Sequence, residues 1–162
     1  MHLSRFMPRL ITGYWQRVMS MRFLISIVFM LVASAASAEH IDYQEIRVSD
    51  GDTISAHGIT YRLVGFDAPE TRRAKCNVER AMGYEAARRL RQILANAESL
   101  DLVEVRCSCR PSTHGTRDCN HGRSCALLSA DGEDVGDVLI SEGLARPYHC
   151  AGNRCPAQET WC

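Results

Sequence analysis

"SDGDTISAHGITYRLVGFDAPET", residues 49–71, decides how this chain is read. It starts with Asp50-Gly51, a dipeptide that favours tight turns. Two strand-like runs follow, Thr53 to Ala56 and Ile59 to Phe66, joined at His57-Gly58. Just before them, Gln44 to Val48 alternates around Ile46 and Val48. A meander of three short antiparallel strands is therefore expected. The stretch closes on Asp67-Ala68-Pro69-Glu70, whose spacing is that of a helix-start capping box. Those two acids are open to a second reading, as chemistry at the end of a strand.

Downstream, Met82, Ala86, Leu90, Leu94 and Ala97 recur three or four residues apart, which predicts an amphipathic helix over 78–97. Leu102 to Cys107 and Ser124 to Ser129 read as two further strands. Between them, 108–120 is rich in Cys, Pro, Gly, Ser and Thr, as a stapled loop would be. Asp131-Gly132 marks a hairpin turn, and a short helix is expected over 134–142, ending against Gly143. Five strands with two to three packed helices predict an α+β chain, mainly β, built on a five-stranded OB-fold barrel.

Residues 21–38, "MRFLISIVFMLVASAASA", place Arg22 ahead of an apolar run that ends in small residues. This is the pattern of a secretory signal, with cleavage expected after Ala38. The strongly apolar run, Phe23 to Val32, falls short of the roughly 20 residues that span a bilayer, so a membrane anchor is the weaker reading. Three parts are expected: a leader over 1–38, a folded domain over 39–149 and a cysteine-bearing tail over 150–162.

Residues 1–38 hold four of the 19 basic side chains and none of the 19 acidic ones. Without them, 15 basic groups face 19 acids, a formal charge of −4. A globally basic nucleic-acid-binding surface is excluded, and any polyanion must be held by a few placed arginines. All eight cysteines lie after the leader. An even count in a small exported chain predicts disulfides over a zinc site, since Cys107-Ser108-Cys109 and Cys119-Asn120-His121 lack paired C-x2-C spacing. Eight cysteines allow 105 full pairings, and the connectivity stays open.

The candidate chemistry gathers at strand ends. Asp52 directly follows the glycine of a turn that does not require it. Arg62 sits in the middle of the third strand, where an inward guanidinium is unfavourable unless it meets an anion. Asp67 and Glu70 close that strand, and His121-Gly122-Arg123 closes the cysteine loop.

"VSDGDTI" (48–54), "YRLVGFDAPET" (61–71), "HGR" (121–123) and "ADGEDVGDVLISEGLARPY" (130–148) occur in the order and rough spacing of the thermonuclease family. The chain thus resembles a staphylococcal-nuclease-like domain over about 46–148, most of the chain after the leader. The resemblance implies an OB-fold endonuclease that hydrolyses DNA and RNA phosphodiesters with calcium. It matches Asp52, Asp67 and the main-chain carbonyl of Ala68 to metal ligands, and Asp50 to an outer acid near the metal. It matches Glu70 to the acid that orients or deprotonates the attacking water, and Arg62 and Arg123 to the arginines on the scissile phosphate. Tyr148 matches a tyrosine of the nucleotide pocket, and His121 stands where the family often has a tyrosine that helps to hold the substrate. Asn120 replaces a residue that is often basic in the family.

The expectation is an exported, periplasmic or secreted, monomeric nuclease that acts on DNA and RNA without stable membrane association. The rival from another class is a catalytically silent OB-fold module that binds single strands or a protein. Such binders line a basic groove with stacking aromatics, whereas this chain without its leader is acidic and only 7% aromatic overall. A third reading, a disulfide-stapled structural protein, leaves Arg62, Glu70 and Arg123 unexplained.

Overall fold

His57 and Gly58 adopt φ of 51° and 79°, and Asp131 and Gly132 adopt 52° and 82°. These left-handed pairs make the tight hairpin turns that the two dipeptides predict. The computed structural model describes residues 38–162. The expected leader, residues 1–38, lies outside them apart from Ala38. Among the described residues no helix is long and apolar enough to cross a membrane.

Among the described residues nine short strands form: β1 (Glu39–His40), β2 (Arg47–Asp50), β3 (Thr53–Ala56), β4 (Ile59–Leu63), β5 (Gly65–Asp67), β6 (Leu100–Val105), β7 (Ser124–Ala130), β8 (Glu133–Asp134) and β9 (Arg146–Tyr148). Two α-helices accompany them among the described residues, α1 (Asn77–Asn96) and α2 (Val135–Ser141). The fold is α+β. Seven strands make a mixed sheet in the order β1-β6-β7-β4-β3-β2, with β8 on β7; β5 and β9 pair separately as an antiparallel ribbon. The β4–β7 contact is parallel and sets Arg62 beside Cys125. This is more than the five strands expected, and the hydrogen-bonded path is open, ending at β1 and β2.

Two departures from the sequence expectation shape the site. The single run over 59–66 breaks after Leu63, and Gly65 takes φ of 99°, a conformation that strongly favours glycine. The break turns Gly65–Asp67 away from the main sheet to pair with β9, Asp67 opposite Arg146. The capping-box reading of Asp67 and Glu70 fails. The helix starts at Asn77, where the Cys76 sulfur accepts from the Glu79 amide and acts as the cap. Residues 68–76 instead form an irregular segment between strand and helix. A smaller shift lies upstream, where Tyr43–Glu45 makes a 3-10 turn and delays the first meander strand to Arg47.

The core gathers Ile54, Leu63, Phe66, Ala86, Leu90, Leu94, Leu128 and Leu139 from both helices and the sheet. Burying each leucine contributes about 1.5–3 kcal/mol. Helix α1 turns Glu79, Gly83, Ala86, Ala87, Leu90 and Leu94 inward, the three-or-four spacing of an amphipathic helix, while Arg88 and Arg91 stay exposed. Its small residues permit close approach. A Cβ on Gly83 would lie 2.6 Å from the Glu70 carbonyl oxygen, and one on Gly51 would lie 2.8 Å from the Cβ atoms of Ala68 and Ala86. Helix α1 is thus pressed directly against the segment that follows β5.

All eight cysteines pair: Cys76–Cys162, Cys107–Cys125, Cys109–Cys119 and Cys150–Cys155. The zinc alternative is therefore set aside, because its thiolates are taken up in disulfides.

Candidate active site

Arg62 stands at the centre of the site. Residue 62 lies near the end of β4, one residue before the sheet breaks, and its side chain is almost fully buried. Its Nη1 donates to Asp52 Oδ2 at 2.9 Å and to the Leu63 carbonyl at 2.7 Å. Its Nη2 donates to Asp67 Oδ1 at 3.1 Å and to the Phe66 carbonyl at 3.0 Å. An inward arginine needs anions, and it finds two carboxylates, each 7% exposed. The break at Gly65 makes this possible by returning Asp67 toward the residue five positions before it.

Asp52 is locked from three sides. Thr53 Oγ1 donates to its Oδ1 at 3.0 Å, and the Ala68 amide donates to its Oδ2 at 3.0 Å alongside Arg62. Burial pushes the Asp52 carboxyl above its ordinary range; Arg62 opposes that shift and the neighbouring Asp67 charge adds to it. Two buried carboxylates around one guanidinium are electrostatically underserved. A hard cation fits such oxygens. Among the described residues no three His, Cys, Asp or Glu side chains form a metal-holding group, so the Asp52–Asp67 pair would need main-chain, water or substrate oxygens beside it.

Arg123 arrives from the opposite side, at the start of β7. Its Nη1 donates to Thr53 Oγ1 at 3.0 Å, its Nε to the Asn120 carbonyl at 3.1 Å and its Nη2 to Asn120 Oδ1 at 3.0 Å. Thr53 therefore links the two arginines in one hydrogen-bonded series: Arg123, Thr53, Asp52, Arg62, Asp67. Burial lowers the Arg123 pKa, and Arg62 and Arg73 add to that shift. Three cations thus bear on one region, a place for a polyanion.

The remaining expected residues fall around this centre. Glu70 is one-third exposed and pairs with Arg73 at 3.3 Å; its charge also reaches Arg123. Asp50 is engaged by Thr71: its Oδ1 accepts from the Thr71 amide at 3.1 Å and from the Thr71 hydroxyl, which pins the segment carrying Ala68 and Glu70. His121 is exposed, with φ of 58°. Tyr148 lies on β9 opposite Gly65, and its hydroxyl donates to the Pro156 carbonyl at 2.9 Å. A groove of about 830 Å³ is lined by Arg62, Arg123, His121, Tyr148 and Gln158 among others.

Two groups escaped the sequence reading. Thr53 looked like an ordinary strand residue, and its place between Asp52 and Arg123 depends on the sheet register. Asn120 looked like the loss of a family cation. It instead cradles Arg123, in a left-handed conformation (φ 50°) that asparagine tolerates better than most residues. The Asn-His-Gly run before Arg123 was the available signal, since all three residues have positive φ.

The match to a known family takes in Arg62, Asp67, Glu70, Asn120 and Arg123 and begins after Asp50, Asp52 and Thr53. A family model described as "Staphylococcal nuclease homologue" matches residues 60–160. The SPbeta prophage-derived endonuclease YokF of Bacillus subtilis (strain 168) is 32% identical over 112 residues, which cover 67% of this chain and 34% of that protein. The chain spans about a third of the length of that relative.

Proposed function

The chain belongs to the staphylococcal nuclease family, and on that premise we propose that it is an exported, calcium-dependent nuclease that hydrolyses DNA and RNA phosphodiesters by activating water. The observation that carries this reading is the buried series from Arg123 through Thr53, Asp52 and Arg62 to Asp67. It sets two guanidinium groups at one groove, with two buried carboxylates directly behind Arg62. A silent binding module has no need to bury such charges, because desolvating them is unfavourable without a task that uses them.

Arg62 and Arg123 hold the scissile phosphate and the charge that grows on it. Each is fixed before substrate arrives, Arg62 by Asp52 and Asp67 and Arg123 by Asn120 and Thr53, so little reorganisation accompanies the reaction. Forked guanidinium groups match non-bridging oxygens better than lysines would. Asp52, Asp67 and the Ala68 carbonyl would hold calcium, and the bound ion would supply a hard Lewis acid for a non-bridging oxygen. Glu70 orients or deprotonates the attacking water. Its partner Arg73 is well exposed, and such pairs are weak enough to open for substrate. The 5′-oxygen leaves, which yields a 3′-phosphate and a 5′-hydroxyl end. Tyr148 and His121 border the nucleotide. At the level of the fold, the mixed main sheet with its parallel β4–β7 pairing and helices against it supports an OB-like arrangement. The four disulfides support an exported, periplasmic or secreted site of action.

The test separates binding from cutting. Glu70→Gln in the oxidised protein is expected to bind a single-stranded oligonucleotide as the wild type does and to cut it at least about 100-fold more slowly in calcium. Equal cutting by the variant would remove Glu70 from the reaction; binding without cutting by the wild type would favour the silent module.

A further inference from the structure

The last residues are bound down at several points. Tyr148 reaches the Pro156 carbonyl, Arg146 Nη1 donates to Glu159 Oε2 at 3.2 Å and to the Thr160 carbonyl at 3.1 Å, and the Arg146 guanidinium lies 3.9 Å over the Trp161 ring. Trp161 is buried, and Cys162 is bonded to Cys76 at the start of α1, 86 positions earlier. Residues 156–162 are therefore a strap over the β5–β9 ribbon, fixed at both ends. From its middle, Gln158 Nε2 donates to Asp67 Oδ1 at 2.8 Å across 91 positions of sequence.

We propose that Gln158 is a positioning residue: it orients the Asp67 carboxylate for a divalent cation, and the Cys76–Cys162 bond keeps it there. The inference rests on the reading of Asp67 as a calcium ligand. Asp67 Oδ1 receives two donors, Arg62 Nη2 at 3.1 Å and Gln158 Nε2 at 2.8 Å. With both on one oxygen the carboxylate plane is fixed, and Oδ2 takes no hydrogen bond from a described residue. Outer partners of this kind set the direction and basicity of a metal ligand.

The amide suits this place chemically. A lysine there would add a second full positive charge and compete with the cation, and a glutamate would set a like charge against Asp67. A neutral donor orients the carboxylate and leaves its charge available. The strap supplies the rest of the argument, because a glutamine on a loose tail would lose side-chain and backbone freedom on reaching Asp67. Trp161, Arg146 and the disulfide hold that freedom down before any ligand arrives. Calcium affinity is thereby linked to the oxidation state of the Cys76–Cys162 pair.

Calorimetric titration of the oxidised protein with calcium chloride tests this without reference to activity. Gln158→Met keeps the length of the side chain and removes the donor. It is expected to bind calcium about 10-fold to 100-fold more weakly than the wild type, with the thermal midpoint nearly unchanged. Cys76→Ser/Cys162→Ser should lose a similar factor, and adding Gln158→Met to it should lose little more. Wild-type calcium affinity in Gln158→Met would overturn the inference and leave the calcium reading intact, as a merely packing role for Gln158 requires. A wild type that binds no calcium would overturn both, and the two failures are told apart by that one control.

Discussion

Replacing Gly83 by alanine sets two effects against each other. In an exposed helix interior the change stabilises by about 1 kcal/mol, because alanine restricts the unfolded chain and favours the helix. Gly83 is buried on α1, and an added Cβ would lie 2.6 Å from the Glu70 oxygen, 2.7 Å from the Glu70 carbonyl carbon and 2.8 Å from the Pro69 oxygen. Ordinary contact begins at 3.4 Å, so helix and segment must part by 0.6–0.8 Å. All three atoms are backbone, and no side chain can rotate away. Overpacking of this kind costs about 1–3 kcal/mol, and a rigid triple contact belongs at the upper end. The net expectation for Gly83→Ala is a loss of about 2 kcal/mol, read as a lower urea midpoint at constant slope. Cleavage should fall as well, since Glu70 is carried on the atoms that must move and a displacement near 1 Å at a reacting group can lower a rate about 100-fold. A variant as stable as the wild type, or more so, would refute the argument, because helix propensity would then outweigh the contact.

Two further outcomes follow from the charged centre. Asn120→Ala removes the Oδ1 acceptor of Arg123 and places alanine at φ of 50°; the cleavage rate should drop about 10-fold or more, with the calcium concentration for half-activity unchanged. Arg62→Met leaves Asp52 and Asp67 buried without their shared partner, and chemical denaturation at neutral pH should show a loss of about 3–5 kcal/mol. The pH dependence of that loss has a definite sign. Burial raises the Asp52 pKa in the folded state and Arg62 holds that rise back, so without Arg62 the folded form takes up a proton at higher pH than the wild type does. The deficit of Arg62→Met should therefore shrink as pH falls through the raised Asp52 value and be largest near neutrality. A deficit that grows on acidification would contradict it.

Much of this molecule is legible in its sequence where local chemistry decides the outcome. The His57-Gly58 and Asp131-Gly132 turns form as dipeptide preference requires, and the long helix lies within a residue of its expected bounds, at Asn77–Asn96. Arg62 in mid-strand signalled a buried anion, and it meets two. Features decided by long-range contact were not legible. The break at Gly65 depends on β9, which supplies the partner strand from 146–148. The capping-box spacing of Asp67 and Glu70 is overridden because Asp67 is drawn to Arg62 and Asp50 pins Thr71. Gln158 has no local signal at all, since its role comes from a disulfide that the cysteine count leaves open among 105 full pairings. Asn120 is not legible for a different reason: its lack of charge gives no hint of the backbone conformation and the acceptor that it contributes to Arg123.

The central claim is that the buried carboxylate and arginine series serves metal-assisted hydrolysis of a phosphodiester. Its most direct test is the initial rate of cleavage of single-stranded DNA by the oxidised protein, in calcium and in excess chelator. New 5′-hydroxyl ends should accumulate in calcium and be lost on chelation, with recovery when calcium is restored. Equal rates in both would contradict it.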